Sequence, residues 1–366
     1  MKQKVTTILF LIVVIGFFVA GFLLEDEVLS KNERRKLAQA PKLDSDFISN
    51  LDDYVVDQFP LRNEFINLNS NINRNFWQIK DYNNVYVIGD TIYDVNYPLS
   101  EKECINFAQK VNYIIEKDLE KSNVYYSIIP DKEYFLDPEE YLKIDYELLK
   151  DKVKINAKYI DITDKLSIED YYRTDIHWKQ ENIQGVVKKL VEQMKNIYIN
   201  VEYNYYKYEP FYGSSYSKAG NTVKPDELIY LKNKYTENAK VTHLEYGEKD
   251  VYDLEKVEAM DSYDIFLTGA SSLIEITNPL TTNGKELIIF RDSFTSSLAP
   301  LLTPYYNKIT LIDLRYINYE YISNIVDFES KDVLFIYSTQ IINNSNLLKV
   351  KIWNNGKNYS HKNYKM

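Results

Sequence analysis

Polar and apolar positions along the chain follow three successive patterns. The first is continuous. Val5 to Leu24 is twenty residues without a charge, and fifteen of them are Val, Ile, Leu or Phe. A helix of that length rises about 30 Å, the thickness of a bilayer core. A transmembrane helix is therefore predicted over residues 1–24. Lys2 and Lys4 precede the apolar run, whereas Glu25, Asp26 and Glu27 follow it. This bias places the short N-terminus in the cytoplasm and the rest of the chain outside. A cleaved signal peptide has an apolar region of only about 7–15 residues, and Val19-Ala20-Gly21 is a weak cleavage site. An uncleaved, single-pass plasma-membrane anchor is the favoured of the two readings. Residues 25–41 are polar, end at Pro41 and read as a stalk.

The second pattern is helical. Phe47, Leu51, Val55 and Phe59, then Phe65, Leu68, Ile72 and Phe76, recur at helical spacing, and Pro60 divides them into two helices. In the third, short apolar runs alternate with longer amphipathic ones. Strands are predicted at 85–88, 124–129, 159–162, 265–267, 287–290, 309–312 and 333–337. Helices are predicted at 101–121, with Ser100 as N-cap, and at 179–197. Such alternation indicates a mostly parallel sheet covered on both faces. Residues 200–262 are tyrosine-rich and less periodic, and read as an insertion in one extracytoplasmic domain spanning 42–366.

Composition removes several functional classes. The formal net charge is −10, with no long basic stripe, which argues against nucleic acid. Cys104 is the sole cysteine, so no internal disulfide can form. The three histidines, His177, His243 and His361, lie far apart in sequence, so no metal centre and no cofactor is expected. The 34 tyrosines carry little weight, because Asn, Lys and Ile are also abundant, as an AT-rich genome produces.

Candidate chemistry lies in two segments. Leu287 to Leu302 reads as a strand, a tight turn at Arg291-Asp292-Ser293 and a helix from Phe294. A serine there stands at the carboxyl edge of a parallel sheet, beside amides and a helix dipole that favour negative charge. This suits a nucleophile that generates an oxyanion; Asp292 or Ser293 acting as a helix cap is the structural alternative. Serine needs a base, and His177 is the one histidine at a strand-to-helix junction. Asp175, two residues before it, can accept the Nδ1 proton and leave Nε2 for Ser293. Alternatively, Asp175 caps the helix that begins near Trp178.

The tetrad Asp175 to Trp178 resembles the signature of the DHHW family, with Ile176 in place of the first His. Further segments match that family in order. Asp57-Gln58-Phe59-Pro60-Leu61-Arg62 resembles its D-x-F-P-x-R segment, and Pro130-Asp131-Lys132 its P-x-K segment. Phe211-Tyr212-Gly213 resembles its F-x-G segment, Asp292-Ser293-Phe294 its nucleophile block, and Asp313-Leu314-Arg315-Tyr316 its D-x-R-Y block. The family is similar to the alginate O-acetylation proteins. The resemblance implies an SGNH-hydrolase-like three-layer α/β/α fold, with a triad of Ser293, His177 and Asp175 whose order along the chain is permuted. Trp178 is expected to pack beneath the histidine. The amide of Ser293 or Phe294 is the expected oxyanion donor, Arg315 and Tyr337 are sugar-binding or oxyanion candidates, and Lys132 is a weaker basic candidate. The implied function is acetyl transfer, through an acyl-serine, from a multi-pass membrane acyltransferase to a cell-surface polysaccharide. A carbohydrate esterase with the same triad and a non-catalytic, membrane-anchored polysaccharide-binding or assembly protein remain the alternatives.

Overall fold

A computed structural model of the chain describes residues 2–30, 33–220 and 222–352. His361 and the end of the predicted domain lie outside the described residues. Helix α1 (Lys2–Leu23) contains the apolar run. It leads to a short hairpin of β1 (Leu29–Ser30) and β2 (Arg35–Lys36), then to α2 (Phe47–Asp57) and α3 (Arg62–Asn71), which are separated at Pro60. A second antiparallel hairpin, β3 (Val85–Ile88) with β4 (Thr91–Asp94), stands apart from the main sheet.

The main sheet begins after α4 (Glu101–Asp118). Ser100 caps this helix by accepting the Glu103 amide at 3.3 Å, and Cys104, Phe107, Ala108, Val111 and Ile114 form its buried stripe. Then come β5 (Asn123–Ile129), α5 (Tyr146–Lys152), β6 (Lys158–Tyr159) and α6 (Gln184–Gln193). Residues 200–262 supply a hairpin of β7 (Asn204–Phe211) and β8 (Asp226–Lys232), followed by α7 (Lys234–Asn238), β9 (Lys240–His243) and β10 (Gly247–Lys249). The rest is β11 (Leu273–Thr277), β12 (Glu286–Arg291), α8 (Thr295–Leu302), β13 (Lys308–Ile312), α9 (Tyr319–Ile325), β14 (Asp332–Ser338) and α10 (Thr339–Ile342).

The order across the eight-stranded sheet is β10-β9-β11-β13-β12-β14-β5-β6. From β13 to β6 every pairing is parallel, whereas β11, β9 and β10 extend the sheet antiparallel. Strand alternation fills two cores. Leu334 and Ile336 of β14 point into one, with α6 and α8; Val333, Phe335 and Tyr337 point into the other, with α4, α5 and α9. This is a three-layer α/β/α arrangement around a mostly parallel sheet.

One expected strand is replaced. Ile265-Phe266-Leu267 is buried, but as the end of a 3₁₀ turn at Ser262–Ile265, followed by Leu267 and Thr268 at φ +54° and +58°. Left-handed backbone cannot continue a ladder, so this apolar run packs as a turn. The parallel strands share one carboxyl edge, which places Pro130-Asp131, Asp292-Ser293, Asp313 and Thr339 side by side.

Candidate active site

Ser293 lies in the three-residue link between β12 and α8, at that carboxyl edge, and is half-buried. Its Oγ is 2.8 Å from His177 Nε2. His177 Nδ1 is 2.5 Å from Asp175 Oδ1, which also accepts the His177 backbone N–H at 2.9 Å. With the proton on Nδ1, as the carboxylate requires, Nε2 is an acceptor for the serine hydroxyl. Asp175 is fully buried and His177 is 6% exposed. Burial acts to raise the Asp175 pKa, but the imidazole, Arg34 and the Ser214 amide outweigh it and hold the carboxyl well below its ordinary range.

The segment carrying Asp175 is braced from several sides. Asp226 of β8 accepts the Thr174 amide at 2.7 Å, the Thr174 hydroxyl at 2.6 Å and the Arg173 amide at 3.1 Å. Lys132 is buried, and its Nζ donates to the carbonyls of Tyr172 and Arg173 at 3.1 and 3.3 Å. Burial lowers its pKa to about 8. Lys132 therefore acts on the backbone that leads to Asp175. Ser214 donates its amide to Asp175 Oδ2 at 2.7 Å. That approach needs a glycine before it, since a Cβ on Gly213 would lie 2.4 Å from the Asp175 Cβ and backbone.

With this geometry in view, solved structures show what the chain is similar to. A DHHW family protein from Eubacterium siraeum superposes with a TM-score of 0.58 at 20% identity, over 72% of this chain and 94% of that one. Bacillus cereus PatB1 with a sulfonyl adduct gives 0.56 at 16% identity, over 70% and 97%. A second structure of PatB1 gives 0.54 at 18% identity, over 72% and 97%. The shared property is the fold. No protein-family model and no curated protein matches the sequence.

Two groups beside the Asp175–His177 pair were not read from the sequence. The Tyr263 ring stacks on the imidazole, with centroids 3.9 Å apart and planes 6° from parallel, and its hydroxyl donates to Ser297 Oγ at 2.9 Å. Arg34 Nη1 lies 3.4 Å from Asp175 Oδ2. Asp292, the cap candidate of the sequence, receives the amides of Phe294 at 3.1 Å and Ser338 at 2.7 Å, tying the serine turn to β14. Sequence spacing carries no signal for the contacts of Tyr263, Arg34 and Ser338, because each joins segments far apart in the chain. Trp178 is fully buried, edge-on to the Phe294 ring that in turn meets His177, and its Nε1 donates to the Phe294 carbonyl at 3.0 Å.

The remaining candidates are placed differently. The Phe294 amide is engaged by Asp292, so it is not free to meet an oxyanion. Arg315 is held in a two-point ion pair by Asp313, at 2.9 and 2.6 Å. Tyr337 is buried on the other face of the sheet, edge-on to Phe107, and its hydroxyl has no partner among the described residues. Ile176 borders a recess of about 190 Å³ with Asp94, Asn96, Asp131, Lys132 and Lys218. A wider recess of about 680 Å³ lies along β9 and β10, bordered by Lys240, Glu248 and Asp253, and neither recess is bordered by Asp175, His177 or Ser293.

Proposed function

We propose that this protein is a serine-dependent acyltransferase, anchored by α1, with its α/β domain outside the membrane and a cell-surface polysaccharide as acceptor. The observation that supports this reading is the continuous contact from Asp175 through His177 to the half-buried Ser293. Ser293 Oγ attacks the carbonyl carbon of an acyl ester and gives its proton to His177 Nε2. The carbonyl oxygen becomes an oxyanion, with the Ser293 amide as the backbone donor left for it. The tetrahedral species collapses to acyl-Ser293, and the donor alcohol leaves with the proton from His177. A sugar hydroxyl then attacks the acyl carbon while His177 takes its proton, which forms the new ester and regenerates the serine. Asp175 stabilises the imidazolium in both halves.

A multi-pass membrane acyltransferase is the proposed acyl source and acetyl the proposed group, both implied by the resemblance to alginate O-acetylation proteins. The polar recess beside Ile176 suits a hydroxyl-rich acceptor. That the same fold occurs in a protein captured with a sulfonyl adduct also favours a nucleophilic site.

The test uses the full chain in detergent with an acetylated chromogenic ester and a surface oligosaccharide. Wild type is expected to release the chromophore and place acetyl on the sugar, and Ser293→Ala and His177→Ala are expected to do neither. Acetyl found in water alone would identify an esterase. Equal inertness of all three proteins would identify a non-catalytic binding protein.

A further inference from the structure

The hairpin of β1 and β2 reaches into the active site from the N-terminal side. Its last strand is clamped to α2 and α3. Arg35 Nη1 donates to Asp57 Oδ2 at 2.8 Å, the Ala38 amide donates to the same oxygen at 2.8 Å, and Glu33 pairs with both Arg35 and Arg62. Between these clamps Arg34 has φ +54° and a side chain only 14% exposed. Its guanidinium touches two carboxylates: Asp175 Oδ2, 3.4 Å from Nη1, and Asp261, paired with Nη2.

We propose that Arg34 is a positioning residue of the active site, delivered by the segment that leaves the apolar N-terminal helix. The inference rests on the acyl-serine reading above and adds a device to it. Asp175 Oδ1 serves His177, and without Arg34 its Oδ2 is held by the Ser214 amide. A second donor on Oδ2 prevents the carboxylate from turning Oδ1 away from the imidazole. The other end of the guanidinium fixes Asp261, two residues before the Tyr263 ring that stacks on His177. One planar cation thus secures both the carboxylate behind the histidine and the ring against its face. An ammonium, being a point charge, cannot span two carboxylates in this way. Helix α1 ends at Leu23, eleven residues before Arg34, so the arm spans at most about 40 Å. The geometry of the site therefore depends on the docking of the arm that follows α1.

The test is the rate of inactivation of the full chain in detergent by an aryl sulfonyl fluoride. This reads the nucleophilicity of Ser293 without acyl donor or acceptor. Wild type, Ser293→Ala, Arg34→Met, Arg34→Lys and Asp261→Asn are compared, each with its thermal unfolding midpoint. Arg34→Met is expected to react about tenfold more slowly than wild type at an unchanged midpoint, Arg34→Lys to recover part of the loss, and Asp261→Asn to lose about threefold. Arg34→Met reacting as fast as wild type overturns the inference alone. So do equal losses in the Met and Lys variants accompanied by lowered midpoints, which mark a purely structural contact. Wild type no faster than Ser293→Ala overturns the serine reading, and this inference with it. Should Arg34→Met fail to fold, Asp261→Asn decides: a loss supports the role and no loss overturns it.

Discussion

Asp175 receives four contacts on two oxygens, and their division explains its expected sensitivity. Oδ1 faces His177, while Oδ2 faces the Ser214 amide and Arg34. An asparagine in its place presents an NH₂ either to Nδ1 or to the donors behind it. In the first case the imidazole takes the tautomer that cannot accept from Ser293. Asp175→Asn is expected to lower kcat by roughly 10³–10⁴-fold with little change in KM, by the logic of serine triads in general; steady-state kinetics with the chromogenic ester check this. Tyr263 acts on the same ring through its face. Tyr263→Phe keeps the stack and loses only the bond to Ser297, so kcat is expected to fall less than about threefold. Tyr263→Ala frees the imidazole and is expected to cost about tenfold. Equal kcat for the two variants would show that the stack does not matter.

At the scale of elements, the site is a meeting of loops on a rigid sheet edge. The strand–turn–helix of β12 and α8 presents Ser293, while the loop before α6 presents Asp175 and His177. The turn after β7 closes over that loop through Gly213 and Ser214, with Thr174 donating its hydroxyl to β8 and accepting the Gly213 amide at 3.1 Å. This close approach is possible because Gly213 has no side chain. Gly213→Ala drives a methyl into the Asp175 backbone, which must shift. A loss of about 1–3 kcal/mol in stability is expected, together with a fall in kcat larger than the stability loss alone explains. Urea unfolding and kcat on the same samples check both parts; an unchanged unfolding curve would mean that the turn lifts away at no cost.

For the whole molecule, burial of charge sets the dependence of stability on pH. Glu133 is completely buried, and its pKa is raised to about 7, first by burial and then by repulsion from Asp131. A carboxyl with a raised pKa holds its proton longer folded than unfolded, so its contribution to stability falls as pH rises from about 4.5 to 7. Glu133→Gln is therefore expected to match wild type near pH 4 and to exceed it by roughly 1–3 kcal/mol near pH 8. Urea titrations at the two pH values test this, and a difference that is the same at both would refute it. The apolar α1 governs the other whole-molecule property, its proposed anchoring. The full chain is expected to stay with membranes through alkaline carbonate and to leave in detergent, with the α/β domain open to protease added outside intact cells. Release by carbonate would exclude a spanning helix.

The hydrophobic pattern determined the apolar helix, the split at Pro60, the capped α4 and the buried runs of β5, β12, β13 and β14, because burial on two faces demands continuous apolar strands whatever their partners. It also marked Asp175, His177 and Ser293 as chemically suited side chains. Their meeting belongs to the tertiary structure. Parallel pairing brings strand ends from distant parts of the chain to one edge, and contacts such as Tyr263 on His177 or Arg34 on Asp175 have no period along the sequence. Tyr337 and Arg315 show the converse. Both looked available at strand ends, but the face of the sheet buried one and Asp313 engaged the other, and neither outcome follows from local sequence, since it depends on which chain segment packs alongside.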